Sequence, residues 1–395
     1  MQADLVQEIQ GLYGPFTLTE RVVQKIWLRQ DLETSHLSTE CGKRLEVFNP
    51  GRWNLLGGPD FKDARLLIDG QSVLGDVEVH FSSSDWYAHQ HDVNPEFNRV
   101  VLHVVLYADR EGAQAVRTQS GYEPPLVVLM PLLNRDLESY ATDEALLEME
   151  KVDDLEWVAS FLEKPVEQRM ATMQQYALKR WKGKVEFARK RLESTNWREA
   201  CHQYCLEVLG YSRNRAPMSH LALRYTLDEM RLSDYGAEAL YEEESANWKL
   251  SGLRPANHPL KRLQQYLEIL QSKPDWPMDL YQFLQEAPHL ETRLTTSAAR
   301  KSLQRADSVD ALRMDLFAGQ VGVSRFHTMM VDAFLPLAEA EGCLDAQSCW
   351  WHWWAGDCPD VVKRFLKHAE LSGANQPINN GLVQGALALF MNRDA

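Results

Sequence analysis

The sequence predicts an α+β fold: a mixed β-sheet flanked by helices in residues 1–135, followed by an all-α domain in residues 136–395. Strand-like apolar runs separated by turn signals occur only before Pro131. Beyond Pro131, apolar residues recur with the helical period, and prolines interrupt the pattern. A chain of 395 residues also exceeds what one hydrophobic core usually organises, which favours two domains.

The first predicted helix covers residues 19–31. Thr19 precedes it as the candidate N-cap, since a threonine hydroxyl can accept a hydrogen bond from the first turn. Apolar side chains then recur on one face of the helix, at Val22, Val23, Ile26 and Trp27. This stripe predicts a helix that packs against the sheet.

Five strands are predicted after this helix. In chain order they are residues 45–48, 64–68, 73–81, 100–107 and 126–130. Asp69-Gly70 separates the second from the third and is a strong signal for a tight hairpin. The run Val100–Tyr107 is apolar at nearly every position, which is typical of a central strand covered on both faces.

Composition excludes several classes of protein. The net charge of −14 argues against a protein that simply coats nucleic acid. No run of 18 apolar residues occurs, so we expect no transmembrane helix and no membrane partner. The polar start Met1–Asp4 lacks the features of a signal peptide, and six cysteines are few for this length. We therefore expect a cytoplasmic protein.

The most informative segment joins Pro59-Asp60 to the run Gly75–His80, which reads Gly-Asp-Val-Glu-Val-His. On a strand, residues two apart share a face, so Asp76, Glu78 and His80 are predicted to project together. If Asp60 lies alongside, its carboxylate and that of Glu78 can bind a hard divalent cation, Mg²⁺ or Mn²⁺. Such a centre can activate water for phosphodiester hydrolysis.

This pattern resembles the PD-(D/E)XK nuclease superfamily, which has the restriction-endonuclease-like fold. Pro59-Asp60 matches the first half of the motif, and Glu78-Val79-His80 matches the second with histidine in place of lysine. The resemblance implies that Asp60 and Glu78 bind metal and that His80 orients or deprotonates water. It also makes Glu20, on the first helix, a candidate third acid, although an ordinary solvated glutamate is the preferred interpretation of this residue.

The chain is also similar to a bacterial family known only as a domain of unknown function, number 2851. The resemblance is carried by residues 57–61, 75–80, 84–86, 89–91 and 102–105, and by Arg254–Pro259 with Arg262-Leu263. This family implies no activity, so the nuclease hypothesis depends on the residues themselves. For Arg254–Pro259, whose two prolines favour a rigid turn, a structural role is preferred over a contact with substrate or with the other domain.

Four of the twelve histidines fall within 24 residues, at His80, His89, His91 and His103. Imidazoles at this density could bind a transition metal such as zinc or manganese, or support the carboxylates from a second layer. The alternatives are a hydrogen-bonded core histidine for His103 and a polar loop for His89 and His91. We place Glu20, Asp76, His89, His91 and His103 in the outer part of the candidate site.

A basic segment lies in the predicted helical domain. Residues 175–231 contain twelve Lys or Arg but six Asp or Glu. The candidates for nucleic-acid contact are Lys179, Arg180, Lys182, Lys184, Arg189 and Arg191. Cations around Trp181 could meet phosphates while the ring stacks on a base. The alternative is a solvated helix face with Trp181 in the core.

The leading hypothesis is a divalent-metal-dependent nuclease, or a relative of one, that acts on DNA or RNA. The first alternative is a catalytically inactive adaptor that binds nucleic acid or protein. The second is a histidine-rich, metal-dependent hydrolase of a small substrate. Motifs for nucleoside triphosphates, dinucleotides, serine hydrolases and HExxH zinc proteases are missing from the sequence.

Overall fold

The computed structural model describes residues 6–11, 14–55, 57–108, 115–152, 155–232, 236–250, 253–290, 294–303, 308–356, 358–373 and 376–391, with side chains from Leu18 onward. The chain forms two compact units, centred on Thr17–Asp136 and on Leu137–Arg393. In the first unit the sheet and its helices surround the predicted site. The second is helical.

The described chain begins with a short hairpin and one helix. Strands β1 (Val6–Gly11) and β2 (Gly14–Thr19) form a two-stranded sheet, and helix α1 covers Glu20–Arg29. The later elements are β3 (Leu45–Asn49), β4 (Arg52–Trp53), β5 (Phe61–Ile68), β6 (Gln71–His80), α2 (Asp85–Ala88), β7 (Val100–Val105) and β8 (Leu126–Val128). A 3₁₀ turn at Pro95–Arg99 lies between α2 and β7.

The main sheet is mixed, as predicted. Its strand order is β3-β5-β6-β7-β8, with β4 paired to β5. Strands β3, β5 and β6 are antiparallel, whereas β7 and β8 run parallel to β6. The parallel pairing of β6 and β7 requires a crossover, and α2 with the 3₁₀ turn forms it. The crossover therefore brings its polar residues to the end of β6.

Helix α1 covers this sheet with its predicted apolar stripe. Val22, Val23, Ile26 and Trp27 are all buried. Thr19 occupies the N-cap position, but its side chain makes no capping hydrogen bond, so that detail of the prediction is wrong. The helix ends at Gln30, whose φ of 51° is left-handed. Strand β7 is largely buried from end to end, as its apolar sequence predicts.

The second unit contains sixteen α-helices among the residues described. They are α3 (Leu137–Glu150), α4 (Glu156–Leu162), α5 (Val166–Ser194), α6 (Trp197–Leu209), α7 (Tyr211–Arg224), α8 (Leu227–Leu232), α9 (Ala237–Glu243), α10 (Pro259–Ser272), α11 (Trp276–Glu286), α12 (Thr296–Leu303), α13 (Ser308–Phe317), α14 (Val323–Met329), α15 (Leu335–Glu341), α16 (Gln347–His352), α17 (Asp360–His368) and α18 (Asn380–Met391). A π-helical segment, Met330–Phe334, links α14 to α15. Across the described helices, none combines the length and apolar character needed to cross a bilayer.

Candidate metal centre at the end of strand β6

Asp60 and Glu78 meet, although 18 residues separate them. The Asp60 backbone N–H donates to Glu78 Oε2 at 3.0 Å, and the Val79 N–H donates to Asp60 Oδ2 at 3.0 Å. A bulge in β5 makes this pairing, because the register with β6 shifts between Phe61 and Ala64 and Asp63 adopts a left-handed φ of 59°. Bulges often redirect side chains beside active sites.

Helix α1 fixes the other oxygen of Asp60. Gln24 Nε2 donates to Asp60 Oδ1 at 2.8 Å, and Trp53 Nε1 donates to Gln24 Oε1 at 3.0 Å. The Trp53 bond settles which end of the Gln24 amide faces the carboxylate. Asp60 is thus held by three elements, α1, β4 and β6. No sequence pattern indicated a role for Gln24, since a glutamine on a helix surface has many ordinary roles.

Glu78 points its second oxygen into the histidine cluster. Glu78 Oε1 lies 3.1 Å from His91 Nε2 and 3.4 Å from His80 Nε2. His80, His89 and His91 each offer one ligand nitrogen, and the three nitrogens lie within 4.8 Å of one another. Three imidazoles and a carboxylate at this separation form a donor set that suits a transition-metal ion.

His103 orients the cluster from behind. Its Nε2 lies 2.9 Å from His80 Nδ1, and its side chain is fully buried in β7, directly opposite Glu78. His89 Nδ1 lies 3.2 Å from His80 Nε2. A partner on Nδ1 of His80 fixes its tautomer and leaves Nε2 to face the site, as the outer partners of metal-binding histidines usually do. The predicted core position of His103 and its predicted supporting role are therefore compatible.

The crossover loop holds His89 and His91 against a small aromatic core. Trp86 is fully buried, and its Nε1 donates to the Arg117 carbonyl at 2.9 Å. The His91 ring stacks on Phe97 with centroids 3.7 Å apart. Asp85 Oδ2 accepts from the Ser82 N–H at 2.9 Å and fixes the start of α2. These contacts order what the sequence alone presents as a polar loop.

The centre contains buried carboxyl groups whose negative charges are not neutralised by neighbouring cations, as their raised pKa values show. Burial, together with the neighbouring carboxylates of Asp60, Glu78 and Asp85, raises the pKa of Glu20 to about 9. Burial also raises the pKa of Glu78, to about 8. In the described part of the chain, Glu20 Oε1 and His91 Nδ1 are buried without a hydrogen-bond partner. A bound cation would favour the ionised carboxylates and satisfy such atoms.

The pKa values of the imidazoles are shifted in the opposite direction, downward. Burial lowers the pKa of His80 well below its ordinary value of 6.5, and His103, His91 and His89 lower it further. Burial likewise lowers the pKa of His91 to about 4. These rings are therefore neutral at pH 7, which is the state that binds a metal or accepts a proton.

Asp76 has different partners from Glu78. Its Oδ1 accepts from the Asp63 backbone N–H at 3.0 Å, and its Oδ2 lies 3.9 Å from Lys62 Nζ. Arg99 lies 4.0 Å away. Asp76 therefore stabilises the β5 bulge. Lys62 is a cation that the sequence analysis missed. Its charge lowers the pKa of Glu78, which places Lys62 beside the carboxylates. The sequence feature that could have indicated Lys62 is its position two residues after Asp60.

A family model described as a protein of unknown function (DUF2851) matches residues 20–240, more than half of the chain. The chain belongs to this family. The match includes every residue of the DUF2851 centre from Glu20 to His103, but it ends before Arg254–Pro259. No significant match was found among curated proteins or among solved structures.

The basic segment of this DUF2851 protein divides into buried and exposed cations. Arg180 pairs with Glu138 at 3.0 Å, Lys184 with Asp332 at 2.8 Å, and Arg191 with Glu207 at 2.7 Å, and all three have internal partners. Lys179 and Lys182 are exposed, as is Arg189, which pairs with Glu186 on the same helix. Trp181 is buried, so it cannot stack on a base. Of the six candidates, only these three exposed cations remain for a predicted nucleic-acid contact.

The metal-free DUF2851 protein is expected to lose stability as the pH rises from about 6.5 to about 9. Glu20 and Glu78 have folded pKa values of about 9 and 8, above their ordinary 4.5. Their contribution is therefore present below pH 4.5 and is lost as the pH rises through the folded pKa values. His91, with its lowered pKa, acts in the opposite direction below about pH 6.5.

Melting temperatures measured against pH in a chelating buffer test this expectation. The decline on the alkaline side should be smaller in Glu20→Gln, because one buried acid is removed. Added Mn²⁺ should also flatten it. A melting temperature that rises between pH 6.5 and 9 in the metal-free protein would contradict the proposed origin of the slope.

Proposed function

We propose that this protein is a divalent-metal-dependent hydrolase of phosphodiester bonds in DNA or RNA. The observation that carries the proposal is the position of Glu78, whose two oxygens link the Asp60 turn to His80 and His91. Carboxylates from separate elements and neutral imidazoles therefore converge on one place. Buried groups whose pKa values are shifted by desolvation and by specific charged neighbours are candidates for a functional site.

The strand arrangement supports the same reading. Pro59-Asp60 enters β5, and Glu78-Val79-His80 ends the neighbouring antiparallel strand β6, in a mixed sheet covered by α1. The PD-(D/E)XK resemblance implies an arrangement of this kind. Glu20, at the start of α1, lies close enough to Asp60 and Glu78 for their charges to raise its pKa, so it fits the role of a third acid.

The residues that would hold the metal are Glu78, His89 and His91, with Asp60 and Glu20 completing its acidic side, so that Nε2 of His80 can serve the attacking water. When bound, a divalent ion would activate water and stabilise charge on the phosphate. Carboxylates alone suit Mg²⁺, whereas the imidazole nitrogens favour Mn²⁺ or Zn²⁺. We therefore expect Mn²⁺ to support activity better than Mg²⁺.

His80 is suited to receive the proton of the attacking water. It is neutral at pH 7, because its pKa is low, and His103 engages its Nδ1. Lys62 then takes the electrostatic role that the missing motif lysine would have, since its ammonium lies near Glu78 and Asp76. His80 would therefore accept the proton and Lys62 would supply the positive charge, two roles that a single lysine has in the resembled motif.

Lys62→Gln is expected to lower the cleavage rate by about 10²-fold and to leave metal binding nearly unchanged, because one stabilising charge near the phosphate is lost. The matched control is Arg65→Gln, an exposed cation on the same strand. Steady-state rates and metal content should be measured together. Equal rates in the two variants would exclude the role given to Lys62.

The direct test uses purified protein with Mg²⁺, Mn²⁺ or Zn²⁺ on single- and double-stranded DNA and RNA. We expect metal-dependent cleavage that is lost in Asp60→Asn. Cleavage that persists in Asp60→Asn and Glu78→Gln would remove the proposal. Nucleic-acid binding without cleavage under any metal would favour the inactive adaptor instead.

A second candidate function has its own supporting observation. The His80, His89 and His91 trio could hold zinc or iron tightly in a hydrolase of a small substrate. Elemental analysis of the protein as purified separates the two functions. Stoichiometric zinc or iron, with hydrolysis of a small phosphodiester but of no polynucleotide, would select this candidate.

A further inference from the structure

The helical unit contains a surface cavity of about 770 Å³, which is the size of a small-molecule site. It lies between the 3₁₀ turn Pro255–Asn257 and the segment that joins α16 to α17. The described residues that line it are Tyr211, Arg254, Asn257, Arg300, Trp354, Ala355, Gly356, Cys358, Pro359, Lys363 and Ile378. The rigid turn predicted from Arg254–Pro259 thus forms one wall of a cavity.

Positive charge dominates this cavity. Arg254, Arg300 and Lys363 line it, and none of its described lining residues is acidic, although Lys363 Nζ pairs with Asp360 Oδ1 on the same helix at 2.8 Å. Asp357, which lies between the lining residues Gly356 and Cys358 in the sequence, is outside the described part of the chain. Two further guanidinium groups, those of Arg262 and Arg325, lie against the lining residue Tyr211. Three cations therefore line this cavity, and two more lie against its Tyr211 wall, in a protein whose net charge is −14.

Aromatic rings and backbone carbonyls hold these guanidinium groups in place. Arg325 lies 3.5 Å above the Tyr211 ring, and Arg300 lies 4.8 Å from the centroid of Trp354. Arg300 also donates to the carbonyls of His352, Trp353 and Ile378 at 2.8–3.2 Å. Burial lowers the pKa of Arg300 to about 10, so it remains charged at neutral pH. Neither it nor Arg254 has a carboxylate partner among the residues described.

The polar groups beside these cations present donors. Arg262 Nη2 donates at 2.8 Å both to Asn257 Oδ1 and to Tyr211 Oη. Both acceptor oxygens are thereby engaged, which leaves the Asn257 amide N–H groups and the Tyr211 hydroxyl proton to donate. Burial raises the pKa of the Cys358 thiol to about 11, so it adds no negative charge. Tyr211 is held at a left-handed φ of 55°, a strain that often accompanies a functional role.

We propose that this cavity binds the phosphate group of a phosphorylated ligand. A phosphate offers several acceptor oxygens and up to two negative charges, which match fixed guanidinium groups and neutral donors. The inference is independent of the metal centre and of the proposed hydrolase function. The phosphate could belong to a free nucleotide or to the 5′ end of a nucleic acid, and the experiment separates these sources.

Calorimetric titration of the full-length protein with four probes tests the inference. The probes are inorganic phosphate, adenosine 5′-monophosphate, and one oligodeoxynucleotide with either a 5′-phosphate or a 5′-hydroxyl. Lys363→Glu and Arg254→Glu should each weaken binding of a phosphorylated probe about tenfold or more, since a charge-assisted hydrogen bond contributes roughly that factor. Arg364→Glu is the matched control, because Arg364 is the exposed neighbour of Lys363 on α17 and does not line the cavity.

Binding of inorganic phosphate or the monophosphate, weakened by Lys363→Glu but not by Arg364→Glu, supports a phosphate site open to free ligands. Binding restricted to the 5′-phosphorylated oligonucleotide supports a site for a nucleic-acid end. Absence of binding by every phosphorylated probe would overturn the inference. So would equal losses in Lys363→Glu and Arg364→Glu, or equal binding of the two oligonucleotides, because either result indicates only general electrostatic attraction.

Discussion

Replacing Glu78 by glutamine is expected to lower metal affinity by more than about 100-fold. Loss of a residue that only supports a metal ligand lowers affinity by about 10- to 100-fold, and Glu78 is proposed to bind the metal directly. Cleavage should fall by about 10³-fold or more, since both the ion and its orientation are lost. Glutamine keeps the shape of the side chain and an oxygen that can accept the Asp60 N–H. The turn at Asp60 should therefore survive, while the charge beside His80 and His91 disappears.

The metal-free stability of this variant separates a metal-centre role from a structural one. Burial raises the pKa of Glu78 to about 8, so its ionisation opposes folding at alkaline pH. Glu78→Gln should consequently match or exceed the stability of the unmodified protein above pH 8 in a chelating buffer. The matched control is Glu46→Gln, an exposed carboxylate on β3. Retained metal in Glu78→Gln, or a large loss of metal-free stability, would contradict the assigned role.

Replacing Lys184 by methionine is expected to destabilise the protein by about 3 kcal/mol, because breaking a buried ion pair leaves an uncompensated charge. The Lys184 side chain is 2% exposed, and its Nζ lies 2.8 Å from Asp332 Oδ1. Burial lowers the pKa of Lys184 while Asp332 raises it, so the pair is held in an environment poor in water. The shift in urea-unfolding midpoint measures the effect.

Lys182→Met is the natural comparison, since Lys182 is two residues away on α5 and exposed. Its expected cost is within about 0.5 kcal/mol, as for most surface substitutions. If the two variants cost the same, Lys184 is not a structural cation. Charge reversal at Lys179, Lys182 and Arg189 tests the remaining nucleic-acid prediction for this helix, because these cations alone among the six have exposed side chains.

The order of the elements could be predicted because each has a local cause. Alternating and continuous apolar runs, the Asp69-Gly70 turn and the stripe on α1 all depend on neighbours in the sequence. The boundaries were less accurate. Strand β5 begins at Phe61 instead of residue 64. A bulge at Asp63, whose φ is left-handed, lets the strand continue through polar residues that strand propensity alone would not include.

The candidate site was predictable in part. The pairing of Asp60 with Glu78 and the proximity of His80, His89 and His91 follow from the strand frame and from their density along the chain. Gln24, Lys62 and the separate role of Asp76 did not follow. Each depends on which side chain a bulge or a helix face brings into contact, and one residue of register changes that outcome.

The sequence by itself determined the α+β organisation, the mixed sheet and the family, because periodicity and short motifs are local properties of the chain. Tertiary structure alone decided which charges are functional candidates and which are structural. Lys184 and Lys182 are alike in sequence, yet one is buried against Asp332 and the other faces solvent. Burial sets the free energy of a charge through the loss of water, and burial depends on contacts between residues far apart in the chain.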